Sequence, residues 1–400
     1  MCKSILLVAA TTGYQVRSFG AAARELGVKL SLATDRCHIL EDPWADRAIA
    51  VRFEDPAQSA SQVQGEFDGI LAVGDRPALL AAHVAQRLGL QFHSPASVAA
   101  CGDKHLSRAC FAAAGLPAPA HRLLGVRDGP PADLTYPCVL KALHLSASRG
   151  VIRANNAEQF RAARDRIAAM VRDPHLQVET YIPGREFALE GLLRNGWLQC
   201  LAIFDKPDPL EGPFFEETIY VTPSQEPPAS QQMMLDATQR AVTALGLTDG
   251  PIHAEMRVNP SGVWMLEVAA RPIGGLCAQT LRFAPGGLSL EALLLRHALG
   301  HDTTGFTREP QPSGVMMIPV PGHGILQSIG GLQQARGVPG IEDVVITAKP
   351  GEELIPLPEG VSYPGFLFAR AATTAAVIEA LRRAHAALSF TLTAKLKVLG

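Results

Sequence analysis

His253 to Gly275 reads HAEMRVNPSGVWMLEVAARPIGG, and the way this stretch folds decides how the rest of the chain is read. Pro260-Ser261-Gly262 has the composition of a three-residue loop, with Gly262 where positive φ is needed. That register sets Glu255 opposite Glu267, Met256 opposite Leu266, and Val258 opposite Trp264. Side chains alternate along a strand, so Ala254, Met256 and Val258 share an apolar face with Trp264, Leu266 and Val268. The other face brings two carboxylates to within roughly 5 Å between Cβ atoms, which destabilises a sheet unless positive charge lies between them. Two solutions are open. A hard divalent cation can be held by carboxylate oxygens, magnesium commonly arriving with substrate phosphates. Alternatively, Arg257 or Arg271 neutralises the pair as a surface ion pair.

Upstream, the first hundred residues alternate strands (4–10, 29–34, 67–73, 90–94) with helices (16–26, 78–88). That alternation implies an α/β fold with a parallel, doubly wound, Rossmann-like N-terminal domain. The loop at residues 10–13 has no G-x-G-x-x-G, so a dinucleotide fingerprint is missing. A helix over 107–114 stops at Gly115, Pro117 and Pro119. Strands at 136–142 and 176–182 then flank a helix at 157–171, and 186–194 with 197–204 reads as a hairpin turning at Asn195-Gly196. A proline-rich surface loop runs over 206–214 and 223–229, before helices at 231–245 and 289–299. Beyond a break near 302–312, short strands and one helix (374–389) form a small α+β region.

At 400 residues the chain has room for two or three domains with real cores. A net charge of -2 provides no basic field for nucleic acid. The seven cysteines, Cys2, Cys37, Cys101, Cys110, Cys138, Cys200 and Cys277, are scattered without a C-x-x-C pair, which favours reduced thiols in a cytoplasmic protein. Residues 5–10 are too short for a signal-peptide core, and no apolar run reaches the roughly 18 residues of a membrane span.

Several residues could carry chemistry. Lys104 enters the first turn of a helix that Asp103 caps, a mild cost unless an anion is near. Lys141 closes an apolar strand, where an unpaired ammonium is costly; it either snorkels or meets a phosphate. Ser146-Ala147-Ser148-Arg149-Gly150 is a small-residue loop whose amides can approach phosphates, and it equally reads as an ordinary turn. Glu179-Thr180-Tyr181-Ile182 leads into a turn and Glu186. Its backbone can hold an adenine edge and Glu186 can accept from ribose hydroxyls, or the glutamates are simply exposed.

In order over Lys104 to Gly275, these features resemble the ATP-grasp superfamily, across most of residues 95–300. The resemblance implies a pre-ATP-grasp domain at 1–95, an ATP-grasp core of two α+β subdomains at 96–305, and a C-terminal α+β domain at 306–400. It implies that Lys104 and Lys141 contact ATP, with Ser146, Ser148 and Gly150 in the loop over the triphosphate. Glu179, Thr180 and Ile182 form the adenine hinge by the same resemblance, with Glu186 on the ribose. Glu255 and Glu267 become magnesium ligands (manganese being the alternative ion), and Arg271 faces the transferred phosphoryl group. Many family members carry Asn two residues after the second glutamate, where this chain has Ala269.

Within the superfamily the chain is most similar to L-amino-acid ligases that make dipeptides. Residues 215–224, FEETIYVTPS, resemble their substrate loop, with Glu217 in the acidic position and Tyr220 where those ligases commonly have His. Amide formation through an acyl phosphate is implied, between carboxylate and amine substrates of amino-acid type, with Glu217 or Tyr220 positioning the amine. Two rivals stand beside it: a carboxylase-type member using bicarbonate, and a non-catalytic nucleotide-binding protein. Whether the chain forms a homodimer is left open.

Overall fold

A computed structural model of the chain describes residues 2–395 apart from 12, 14, 36–47 and 361. Thr12 of the loop at 10–13, and Cys37, lie outside the described residues. The N-terminal sheet is parallel, in the order Ile49–Ala50, Lys29–Thr34, Ser4–Ala9, Gly69–Val73. Helices Val16–Glu25 and Asp75–Leu88 accompany it, as an α/β alternation requires. The strand expected over 90–94 is not formed. Ser94-Pro95 instead starts the helix Pro95–Gly102, the serine hydroxyl accepting from the Ser97 N–H with proline in the first turn.

Two further sheets carry the middle of the chain. One has four antiparallel strands in the order His121–Gly125, His175–Thr180, Cys138–Lys141, Val151–Ala154. The other has eight antiparallel strands, beginning Gly262–Ala269, Gly250–Asn259, Arg185–Arg194, Trp197–Asp205, Ile219–Thr222. It continues through Ser313–Met317, Gly365–Arg370 and Ile341–Ile346. The sheet therefore crosses the boundary expected at 305/306 without interruption. Residues 215–224, expected as a loop, contribute the strand Ile219–Thr222 that makes this continuity, because it pairs with Ser313–Met317.

The hairpin reaches its expected pairing by an unexpected route. Asn259 pairs with Gly262, so the loop is one residue shorter than the sequence suggests, and Val258 faces Val263 rather than Trp264. Met256 faces Met265 rather than Leu266. The register then shifts by one between Met256 and Glu255, leaving Leu266 as the extra residue of a bulge, and Glu255 returns to lie opposite Glu267. The buried face is Ala254, Met256 and Val258 against Val263, Met265 and Val268. Trp264 and Leu266 fall on the other side; Leu266 lines the cavity.

Apolar clusters on both sides of the large sheet tie these parts together. Leu6, Val8 and Ile70 of the first sheet pack in one cluster with Leu189, Ile252 and Met256, and Ile5 and Leu7 in another with Leu192 and Leu293. Burial on that scale is the main force holding the layers. Among the described residues no helix is long and apolar enough to cross a membrane.

Candidate active site

A cavity of about 400 Å³ lies where the four-stranded and eight-stranded sheets and the N-terminal domain meet. It is lined by Lys104, Lys141, Ser146, Ser148, Glu179, Thr180 and Ile182 on one side. Glu186, Glu217, Tyr220, Glu255, Glu267 and Arg271 line the other.

The first wall is rich in cations. Asp103 caps the helix Lys104–Ala113, its carboxylate accepting from the His105 and Leu106 amides, and the Lys104 ammonium donates to the Leu145 carbonyl. Lys141, at the end of its apolar strand, is 2.6 Å from Glu179; buried Arg108 is 2.8 Å from the other oxygen. Burial alone would raise Glu179, but Arg108 and Lys141 outweigh it and hold its carboxyl at about 2. The Glu179 side chain, expected at a hinge, is thus committed to a buried ion triad. Ala147 and Ser148 hold φ of 55° and 56°, rare for residues with a Cβ. Gly150 does not line the cavity: its amide donates to the Pro358 carbonyl at 3.1 Å, and a Cβ there would stand 3.0 Å from that of Ala142.

The second wall is rich in carboxylates. The Lys206 ammonium is 3.0 Å from Glu186 and 3.3 Å from Glu255, with Glu217 closer still. The three carboxylates lie within 4.8 Å of one another around it. Arg257 donates to Glu186 at 2.9 Å and to the Ile182 carbonyl at 2.7 Å. His253 bridges Glu190 and Glu255. The Tyr220 hydroxyl donates to Glu217 at 2.8 Å. Burial would depress His253, but Glu190 and Glu255 lift it to about 9. Burial pushes Glu217 up, whereas Lys206 and His253 hold Glu255 well below the usual carboxylate range despite its own burial.

Neither expected neutraliser sits between Glu255 and Glu267. Glu255 is compensated by Lys206 and His253, and Arg257 pairs with Glu186. The Glu267 carboxylate makes no hydrogen bond or close ion pair among the described residues, and Arg271 turns to Asp75, 2.7 Å away. Sequence reasoning placed Lys206 in a surface loop; it is 8% exposed. A signal was present, since Lys206 directly follows an apolar strand just as Lys141 ends one. Arg257 was weighed only against Glu255 and Glu267, and nothing local announced its reach to Ile182.

With this geometry in place, the comparisons gain weight. Residues 134–280 match the ATP-grasp domain, and residues 316–393 match L-amino acid ligase C-terminal domain 2. D-alanine–D-alanine ligase of Gloeobacter violaceus is 31% identical over 217 residues, spanning 48% of this chain and 67% of that ligase. The chain belongs to the ATP-grasp ligase family. An uncharacterized Sinorhizobium fredii protein, y4rH, is 24% identical over 370 residues, 89% of this ATP-grasp chain and 76% of its relative. The L-amino acid ligase of Bacillus licheniformis has the same fold, with a TM-score of 0.81 at 24% identity, covering 98% of this chain and 99% of that one. The matched residues of this ATP-grasp ligase take in Lys141 and the bulged hairpin, and Lys104 precedes them.

Proposed function

We propose that the chain is an ATP-dependent carboxylate–amine ligase that forms an amide, with amino acids as substrates, through an acyl phosphate, releasing ADP and phosphate. The observation that carries this reading is one cavity with walls of opposite charge surplus. On the cationic wall Lys104 and Lys141 flank the Ser146–Ser148 loop, where a triphosphate's charge is best accommodated. Thr180 and Ile182 offer backbone to the adenine. Arg257, bonded to the Ile182 carbonyl and to Glu186, keeps that hinge and the ribose carboxylate in register.

The donor set on the acidic wall suits magnesium. Glu255 and Glu267 present hard oxygen ligands from adjacent strands into the cavity, and the Glu267 carboxylate makes no hydrogen bond or close ion pair among the described residues. Those two residues would hold the ion, which when bound supplies charge neutralisation to the phosphate oxygens. Ala269 adds no side-chain donor.

Chemistry then proceeds in two steps. The substrate carboxylate oxygen attacks the γ-phosphorus, a new O–P bond forms, and the bond to ADP breaks. An amine next attacks the acyl carbon, and the C–O bond to phosphate breaks as phosphate leaves. Arg271 offsets charge on the transferred phosphoryl group, while Glu217 and Tyr220 position the amine. Alignment and charge do the catalytic work in such transfers. The kinship with D-alanine–D-alanine ligases and the match to an L-amino acid ligase C-terminal domain support amino-acid substrates.

The test is ADP release across a panel of amino acids, with products identified by mass. Turnover that needs amino acids and yields a condensed product supports the proposal. Turnover driven by bicarbonate moves the enzyme to a carboxylase-type reaction, and ATP binding without turnover makes it a nucleotide-binding protein.

A further inference from the structure

Asp75 begins the helix Asp75–Leu88 of the N-terminal domain and lines the cavity. Arg271 donates to its carboxylate through Nε at 2.7 Å and a terminal nitrogen at 3.4 Å. Lys104 and Ser146 line the same cavity. Arg271 is the group that the proposed function gives to the transferred phosphoryl, yet the anion it holds belongs to the protein. A phosphate and a carboxylate at that position repel one another strongly in a site partly closed to water. A guanidinium with so little exposure is costly to leave unpaired; Asp75 is the anion that Arg271 hydrogen-bonds, with Glu267 and Glu190 acting on it from further away.

We infer that Asp75 is a placeholder for phosphate: it positions Arg271 before nucleotide binds and yields it when ATP binds. The inference rests on the proposed function and extends it to the N-terminal domain, whose first-turn carboxylate becomes the group displaced by nucleotide. Asp75 is a positioning residue in this role, acting on the reaction through Arg271.

Asp75→Asn and Asp75→Ala, with the wild type, are titrated with magnesium and an ATP analogue bearing a β,γ-imido bridge, and separately with adenosine. Both variants are expected to bind the triphosphate at least about tenfold more tightly, because a like charge has gone, with adenosine affinity unchanged. Equal or weaker triphosphate binding by folded variants overturns the inference and leaves an ordinary interdomain ion pair. Hydrogen exchange in the wild type needs no variant. The segment from Gly74 to Ala78 should exchange faster with the triphosphate analogue than with adenosine, and no increase counts against displacement. A wild type that binds neither ligand removes the proposed function itself, which is a separate failure.

Discussion

The two walls of the cavity are both made of buried ion clusters, and they differ in the sign of what is left over. On one, Glu179 faces Arg108 and Lys141, with Lys104 close by. On the other, Glu186, Glu190, Glu217 and Glu255 share Lys206, Arg257 and His253, and Glu267 lies beside them on the cavity. Buried ion pairs cost desolvation and add little net stability. A surplus of one sign beside a cavity is harder still to sustain, and is relieved by a ligand of the other sign. The contrast separates what is structural from what is receptive: the triad at Glu179 holds a sheet together, whereas the Glu267 carboxylate faces the cavity with no hydrogen bond or close ion pair among the described residues.

The largest effect should come from the receptive wall. Glu267→Gln is expected to lower turnover by about a thousandfold, the scale of losing a major electrostatic element in the transition state. Its unfolding midpoint should stay near that of the wild type; retained turnover would take the metal role from Glu267. The structural wall should answer in stability instead. Arg108→Leu leaves Lys141 as the ion-pair partner of Glu179 among the described residues, and breaking such a buried set costs about 3–5 kcal/mol in urea unfolding. A loss under about 1 kcal/mol would erase the distinction between the walls.

Proton linkage sharpens the same comparison. Glu179 is held at about 2 in the fold, against an ordinary 4.5, so its contribution is present above 4.5 and disappears as pH falls toward 2. His253 runs the other way. Raised from 6.5 to about 9, it contributes fully below 6.5 and loses that contribution as pH rises through 9. By linkage the His253 term is worth up to about 3 kcal/mol. His253→Gln should flatten the alkaline limb of the stability profile and leave the acid limb unchanged, which chemical unfolding at a series of pH values would show. The smallest effect is expected at Tyr220→Phe, which removes the hydroxyl bonded to Glu217. About 1 kcal/mol, a several-fold rise in KM for the amine with kcat little changed, is the scale of one such bond. A collapse of kcat would move Tyr220 from positioning to chemistry.

Much of the frame was legible because its causes are local. Lys29–Thr34 was readable to the residue from its apolar run, and Asp103 as a cap from its type and place. The strand expected over 90–94 failed because Ser94-Pro95 is a helix-start signal that outweighs a short apolar run. The hairpin shows how a correct pairing can rest on an incorrect turn. A loop one residue short and a bulge one residue long cancel, so Glu255 still meets Glu267. Nothing in the order of residues announces a bulge at Leu266; packing of Met256 on Met265 selects it.

By itself, then, the sequence determined most of the kinds of element and the order of the lysines and carboxylates along them, while the bulge decided which side chains of the second hairpin strand share a face. The elements follow from backbone periodicity, which acts over a few residues. Only the tertiary structure decided which charge answers which. Lys206 sits among Glu186, Glu217 and Glu255, and Asp75 reaches Arg271 across 196 positions of chain. Electrostatic partners are set by distance in space and by the burial around them, and neither is written in the spacing of a chain before it folds.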